Sequence, residues 1–359
     1  MPHRNRPAKR AAALLLAALL LALTGCTASG PATESGGGQL QRYQSSFIDL
    51  FDTVTLVVGY ASTEAEFSAE MTGFHDLLEE YHQLYDIYND YEGINNIKTI
   101  NDNAGGDPVE VDRRIIDLLL FAKEMYERTD GQTNVMLGSV LALWHDAREY
   151  GINNPEDSYL PDADALAEAN AHTSMDSLVI DDENNTVQIT DPLARLDVGA
   201  VAKGYAAQLT SDTLRENGLD SFLLNAGGNV VCGGKPLDGR DFWVVGVEDL
   251  DGVSTRETLG ATDLSVVTSG DYQRYYTVDG VRYHHLIDPA TLWPAAYFDG
   301  VSVLAPDSGV ADCLTTGLFC MPLEEGQKIV ESLDGVEALW CTTDGQLVTS
   351  SGWADHEKK

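Results

Sequence analysis

The sequence predicts a single mixed α/β (α+β) domain, built from largely antiparallel sheets with packed helices. Two observations carry that expectation. Stretches of period two interleave with stretches of helical period along the whole chain. Short polar turns such as Asp279-Gly280 and Asp344-Gly345 also join apolar runs in the way antiparallel hairpins do. A length of 359 residues with 43% apolar residues is enough for a sizeable core. No internal repeat occurs, and no linker interrupts the chain after residue 45.

The first ten residues, MPHRNRPAKR, carry Arg4, Arg6, Lys9 and Arg10, and an uncharged apolar run follows them. That is the pattern of a secretory signal, too short for a comfortable membrane span. It ends in Leu23-Thr24-Gly25-Cys26, which resembles the bacterial lipobox, whose cysteine becomes the lipid-modified first residue. The expected plan is therefore a signal peptide over 1–25 and a lipid-anchor Cys26 with a flexible Gly/Ser-rich linker over 26–45. A catalytic domain over 46–355 completes it. Such a chain is extracytoplasmic and held to the bacterial cell membrane through its lipid.

Beyond the linker, Phe51–Ala61 reads as a strand, and Thr63–Glu66 has the spacing of a helix capping box. Phe67, Met71, Phe74, Leu78, Tyr81, Tyr85 and Tyr88 then form one apolar seam. Further helices are expected over Asp112–Arg128 and Val135–Glu149, with a short one near Ala165. SLVIDDENNTVQIT reads as a hairpin, and an amphipathic helix ends near Asn217, with Gly218 just past it. SFLLNAGGNVVCGG is expected to be a strand running into glycines, and DFWVVGVED another strand. A hairpin about Asp279-Gly280, a strand at VSVLAP, helices through ADCLTTGLF and near GQKIVESL, and a last hairpin about Asp344-Gly345 finish the chain.

Charge narrows the function. Against 57 acidic residues stand 22 Lys and Arg, a formal net charge of -35. Loss of residues 1–25 removes four bases and no acid, leaving 18 minus 57, or -39. This argues against sequence-independent binding to nucleic acid, which needs clustered Lys and Arg. Any anionic ligand must then be neutralised by fixed dipoles, a rare lysine or a metal ion. Cys232, Cys313, Cys320 and Cys341 show no metal-binding spacing. Cys313 and Cys320 lie about 10 Å apart along a helix and cannot bridge each other, so free buried thiols are expected.

Three clusters could carry chemistry. LDVGAVAKGYA, Leu196 to Ala206, sets Asp197 and Lys203 around Gly199 and Gly204 at a helix start, where N–H groups face outward. It reads either as a phosphate cradle or as a plain strand-to-helix turn. NAGGN, Asn225 to Asn229, is either a point of close backbone approach or a β-bulge. Asp312 and Thr316, at i and i+4, share one helical face; they suit Mg²⁺ or are simply solvated. His284 and His285 occupy adjacent strand positions, so at most one enters a site beside Asp288 and the other is free to be exposed.

Taken together, LDVGAVAKGYA, NAGGN, TSGDYQRYY, YHHLIDPAT and ADCLTTGLF follow the order and spacing of the FAD:protein FMN transferases, the ApbE family. The resemblance covers roughly residues 46 to 352. It implies a T-fold-like domain that uses Mg²⁺ and FAD as substrate. Such enzymes move FMN onto a threonine of membrane or extracellular electron-transfer proteins through a phosphoester bond and release AMP. It implies His285 as the base that deprotonates the acceptor threonine. Ala200 (through its carbonyl), Asp312 and Thr316 would be the metal ligands. Asp197, Lys203, Tyr88, Gly227, Gly228, Ile287 and Asp288 would be FAD contacts. Two departures occur. Gly131-Gln132-Thr133-Asn134 stands where many members have GAFD, and Leu292 stands where a glycine is common. Two alternatives share the site: a Mg²⁺-dependent FAD pyrophosphatase giving FMN and AMP, and a non-catalytic FAD-binding lipoprotein.

Overall fold

The structure, a computed structural model, describes residues 40–249, 254–272 and 274–358. The signal segment and Cys26 lie outside the described residues. The chain opens with β1 (Gln41–Phe47) and β2 (Thr55–Ala61), followed by helices α1 (Glu64–Tyr85) and α2 (Ile97–Asp102). Next come β3 (Val109–Glu110), α3 (Arg113–Arg128), α4 (Gly138–Asn153), α5 (Ala163–Asn170), β4 (Leu178–Asp181) and β5 (Thr186–Ile189). The second half runs α6 (Ala202–Glu216), β6 (Phe222–Ala226), β7 (Asn229–Gly233), β8 (Trp243–Glu248), β9 (Thr255–Ala261) and β10 (Leu264–Gly270). It ends with β11 (Tyr275–Val278), β12 (Val281–His284), β13 (Phe298–Ala305), α7 (Ser308–Phe319), α8 (Leu323–Glu331), β14 (Glu337–Thr342) and β15 (Leu347–Thr349).

Eight strands form one antiparallel sheet in the order β1-β2-β6-β7-β10-β13-β14-β15. Its central strands are apolar at successive positions because both faces are covered. Val57, Val231, Val267 and Val303 face the layer of α1, α3, α6 and α7. Their neighbours Val58, Val230, Val266 and Leu304 face the β8–β9 ribbon and Trp353. A smaller core, with Trp144, Leu137 and Ile287, joins α4 to the β11–β12 hairpin. The mixed α/β class with antiparallel sheets is thus as expected.

Four local expectations change. β1 pairs with β2 from Gln41 onward, so the folded domain begins before residue 46 and the linker stops short of residue 45. The seam helix α1 starts at its Thr63 cap but ends at Tyr85, which leaves Tyr88 in the following loop. α4 starts at Gly138 rather than Val135, because Val135–Leu137 run beside Arg195–Asp197 instead. SFLLNAGGNVVCGG is not one strand but the hairpin β6–β7. Gly227 and Gly228 form its two-residue turn at φ +58° and +94°, the conformation that a tight hairpin of this kind demands. That turn, not a bulge, explains the paired glycines. β9 and β10 carried no turn signal strong enough to be foreseen.

Candidate functional site

The site begins with Asn101, a buried amide on α2. Its side chain accepts the Leu196 N–H at 2.7 Å and donates to the Leu196 carbonyl at 2.9 Å, as a neighbouring strand would. The Asp197 N–H donates to the Val135 carbonyl at 2.8 Å, so the segment before α6 is pinned from both sides. Asp197 Oδ1 accepts the Gly199 N–H at 2.9 Å, and this turns the chain into α6. Burial pushes the Asp197 carboxyl upward, opposed by that N–H and by the nearby His145, Arg195 and Arg148.

At the first turn of α6, the N–H of Gly204 bypasses the carbonyl of Ala200, its partner in a regular helix, and donates to Asp312 Oδ2 at 2.7 Å. Among the described residues no N–H reaches the Ala200 carbonyl. Only glycine permits this approach: a Cβ at Gly204 would stand 2.3 Å from Asp312 Cβ and 2.5 Å from the Ser308 carbonyl oxygen. Asp312 Oδ1 lies 3.7 Å from Lys203 Nζ; the Lys203 side chain is 24% exposed, and burial pushes its pKa down against the pull of Asp312. Thr316 is partly exposed one turn along α7. Thr315, between them, is structural: its hydroxyl donates to the Asp312 carbonyl and accepts from Ser269.

The two histidines of the β11–β12 hairpin separate as alternation requires, but neither is freely exposed. His284 is buried; its Nε2 lies 3.0 Å from the Ala295 carbonyl and its Nδ1 accepts the Leu286 N–H at 3.2 Å. This corrects the expectation that the non-site histidine is free to be exposed, since Phe298 and Phe319 close over that face. His285 faces the site. Burial, with the charges of Arg274, Arg148 and His284, pushes its pKa down to about 3, and its Nδ1 is buried without a partner.

Tyr88, 54% exposed, stacks on His145 with ring centroids 5.1 Å apart, and Arg148 Nη2 lies 3.0 Å from His145 Nδ1. The loop is locked by Asp86, which accepts from the Tyr88 N–H, the Asn89 N–H and side chain, and the Tyr91 hydroxyl. Burial, and the charge of Asp197, push the Tyr88 hydroxyl up to about 12. The charges of Arg148, Arg195 and Arg274 oppose this, which places all four groups in one neighbourhood.

Tyr88, Asp197, Lys203, His285 and Asp312 are therefore linked through shared charged neighbours. Ala200 lies just before α6 and Thr316 lies on α7, the two helices that Gly204 and Asp312 join. Other expected residues also have a place in the frame. Ile287 packs into the α4 core, and its carbonyl faces the Cys320 thiol. Asp288 is buried and accepts the Ala290 N–H at 2.8 Å, shaping the turn to Leu292. Leu292 sits at φ +65°, where glycine is at ease, and Trp144 Nε1 holds its carbonyl at 2.9 Å. Asn134 is spent on the Thr173 carbonyl and the Met136 N–H. Gly227 stands against Thr53.

Sequence reasoning missed Arg148, Arg195, Arg274 and His145. It assigned neutralisation to dipoles, one lysine or a metal, whereas the fold also gathers three arginines. The available signal was the scarcity of bases: 22 in a chain of 359. The donor set of Ala200, Asp312 and Thr316 consists of hard oxygens, and an undonated carbonyl beside a carboxylate fits Mg²⁺. The cluster of His75, Asp76 and Glu79 lies apart, on the exposed side of α1. All four described cysteines are buried and free.

A family model described as the ApbE family matches residues 52–340. The chain is 32% identical over 345 residues to the FAD:protein FMN transferase of Treponema pallidum, covering 92% of each. It is 31% identical over 286 residues to that of Klebsiella pneumoniae, covering 77% of this chain and 86% of the relative. The fold is similar to the ApbE protein of Thermotoga maritima, with a TM-score of 0.76 and 29% identity, over 89% of this chain and 100% of that one. It is also similar to the flavin transferase ApbE from Vibrio cholerae, with a TM-score of 0.75 and 25% identity, over 89% and 100%. The chain belongs to the ApbE family.

Proposed function

We propose that this chain is a Mg²⁺-dependent FAD:protein FMN transferase that modifies a threonine of an electron-transfer protein. The observation that carries the reading is the Gly204–Asp312 contact beside Lys203, which leaves the Ala200 carbonyl free. The relatives, FAD:protein FMN transferases, point the same way.

In this reading the acceptor hydroxyl attacks the FMN phosphorus of FAD. An O–P bond forms, the bond to the AMP phosphate breaks, and AMP leaves with the electron pair. His285 Nε2 takes the hydroxyl proton, since its Nδ1 is buried. Lys203, Arg148, Arg195 and Arg274 receive the phosphate charge, and the stacked Tyr88 and His145 offer an aromatic face to the flavin. Asp197 and the hairpin glycines Gly227 and Gly228 bound the nucleotide. Ile287 and Asp288 hold the turn behind His285. Ala200, Asp312 and Thr316 would hold Mg²⁺, which supplies charge neutralisation on the diphosphate.

We also propose export and anchoring through Cys26, supported by the basic n-region, the apolar run and Leu23-Thr24-Gly25-Cys26. The test is incubation of the full-length chain with FAD, Mg²⁺ and a threonine-bearing acceptor. Flavin fluorescence on the denatured acceptor is the expected result. Free FMN alone would replace transfer with hydrolysis, and neither product would leave a flavin store.

A further inference from the structure

Both ring nitrogens of His284 are engaged by backbone groups. A main-chain N–H can only donate, so the Nδ1 that meets the Leu286 N–H at 3.2 Å carries a lone pair. In a neutral imidazole the proton then sits on Nε2, and the group 3.0 Å from it is the Ala295 carbonyl, which can only accept. The two contacts fix one neutral tautomer. Burial, which pushes the His284 pKa down, favours the same uncharged state. Phe319 meets the ring at a steep angle, with centroids 5.6 Å apart.

That ring stands where a strand would make a main-chain bond. The segment 293–295 runs antiparallel beside residues 286–288: the Asp288 N–H donates to the Trp293 carbonyl and the Ala295 N–H to the Leu286 carbonyl, each at 2.9 Å. In a regular ladder the Leu286 N–H would return the second bond to the Ala295 carbonyl. The His284 imidazole stands between those two groups instead and links one to the other. On the opposite side, the His285 N–H donates to the Arg274 carbonyl at 3.1 Å. Both peptide groups that flank the His285 Cα are therefore held, one by Arg274 and one by His284. A backbone fixed at both peptides fixes the direction of the Cα–Cβ bond, and with it where the His285 ring can reach.

We propose that His284 is a positioning residue for His285: its neutral ring replaces a ladder bond, holds the peptide after His285 and so keeps the base aimed at the acceptor hydroxyl. The inference rests on the reading of His285 as the base. His284 touches neither substrate nor metal in this role and acts through the backbone of its neighbour. A general base must lie within about 2.6–3.2 Å of the group whose proton it takes. A misplacement of about 1 Å costs about 10²-fold in rate. The role also separates acceptor from shape. Asparagine places an amide oxygen where Nδ1 stands and bonds readily to an N–H two residues on, as in an Asx-turn. Phenylalanine keeps the ring against Phe319 and offers the Leu286 N–H no acceptor.

The test compares His284→Asn, His284→Phe and His285→Ala in the full-length chain, with FAD, Mg²⁺ and a threonine-bearing acceptor. His284→Phe is expected to lower kcat about 10²-fold with the KM for FAD unchanged, and His284→Asn to recover most of that loss. A side chain that only filled space would rank the two variants the other way, because Phe covers Phe319 and Asn does not. Two measurements without turnover read the contact itself. Amide exchange at Leu286 is expected to be slow in the wild type and in His284→Asn, and fast in His284→Phe. Nitrogen-15 NMR of the wild-type His284 ring is expected to show the proton on Nε2. A proton on Nδ1, Leu286 exchange unchanged by the Phe substitution, a folded His284→Phe with wild-type kcat, or a folded His284→Asn as slow as His285→Ala overturns the proposal. His285→Ala keeps the two readings apart. A slow His285→Ala beside a wild-type His284→Phe retains the base and removes the positioning role, whereas a wild-type His285→Ala removes the base and the inference with it.

Discussion

Gly204→Ala tests the contact on which the site is built. The added methyl would stand 2.3 Å from Asp312 Cβ and 2.5 Å from the Ser308 carbonyl oxygen, both on α7. Carbon atoms rest about 3.5–4.0 Å apart, so α6 and α7 must part by about 1 Å. Overpacking of this kind costs about 1–3 kcal/mol. Parting the helices also stretches the 2.7 Å hydrogen bond from Gly204 to Asp312. A bond to a charged group contributes about 1.5–3 kcal/mol. Alanine recovers about 1 kcal/mol of helix propensity. The net expectation is a loss of about 1.5–5 kcal/mol, read as a lower urea midpoint at an unchanged slope. Because Asp312 shifts with α7, the Mg²⁺ concentration needed for half-maximal transfer rises as well. A variant with the wild-type midpoint and wild-type Mg²⁺ dependence would refute the reasoning, since it would mean that α6 moves freely past Asp312.

Other changes separate the remaining roles. Asp312→Asn keeps the side-chain shape but removes its charge, and Mg²⁺-dependent transfer should fall by about 10²-fold or more; full activity would place the metal elsewhere. His285→Ala should slow transfer about 10²–10⁴-fold with FAD still bound, and a wild-type rate would assign the proton to another group. Burial alone would raise the Asp86 carboxyl, but hydrogen bonds from Asn89, Tyr88 and Tyr91 overcome it and hold the pKa below 3.8. Its stabilisation is thus complete above 3.8 and lost as pH falls through the lower, folded value. Asp86→Ala should cost about 3 kcal/mol at neutral pH, with the gap to wild type narrowing in acid; a gap independent of pH would contradict this. Burial pushes the Cys232 thiol up to about 12 and those of Cys313 and Cys320 upward too, so mass mapping should find these three unlabelled by a thiol reagent in the native state.

Local chemistry made much of the fold legible. Thr63 caps α1, Asp112 caps α3, and Asp279-Gly280 turns the β11–β12 hairpin as its residue types require. Strand alternation alone sets His284 and His285 on opposite faces. The β6–β7 hairpin differs from the expected single strand because the Gly-Gly pair between Asn225 and Asn229 reads equally as a close approach or a bulge, and only the pairing of β6 with β7 shows it to be a turn. Arg148, Arg195 and Arg274 escaped because nothing in their spacing connects them. Their meeting is a product of tertiary packing, set by the Asn101–Leu196 clasp and by the α4–hairpin core. Asp288, expected at the ligand, also shapes its own turn, a role that only its hydrogen-bond partner reveals.

The clasp of Asn101 on Leu196 joins residues 95 positions apart, and that of Gly204 on Asp312 joins residues 108 apart. Closing loops of this length costs chain entropy and slows folding, and the second closure needs α7 in place. The nucleotide site is consequently an all-or-none property of the finished domain: no fragment ending before α7 contains it. Ligand affinity and global folding then form one thermodynamic cycle, in which a ligand at about 100 times its Kd adds about 2.7 kcal/mol to the unfolding free energy of the entire domain. A chain in which α7 has not yet joined the sheet lacks the Gly204–Asp312 contact, and with it the proposed site.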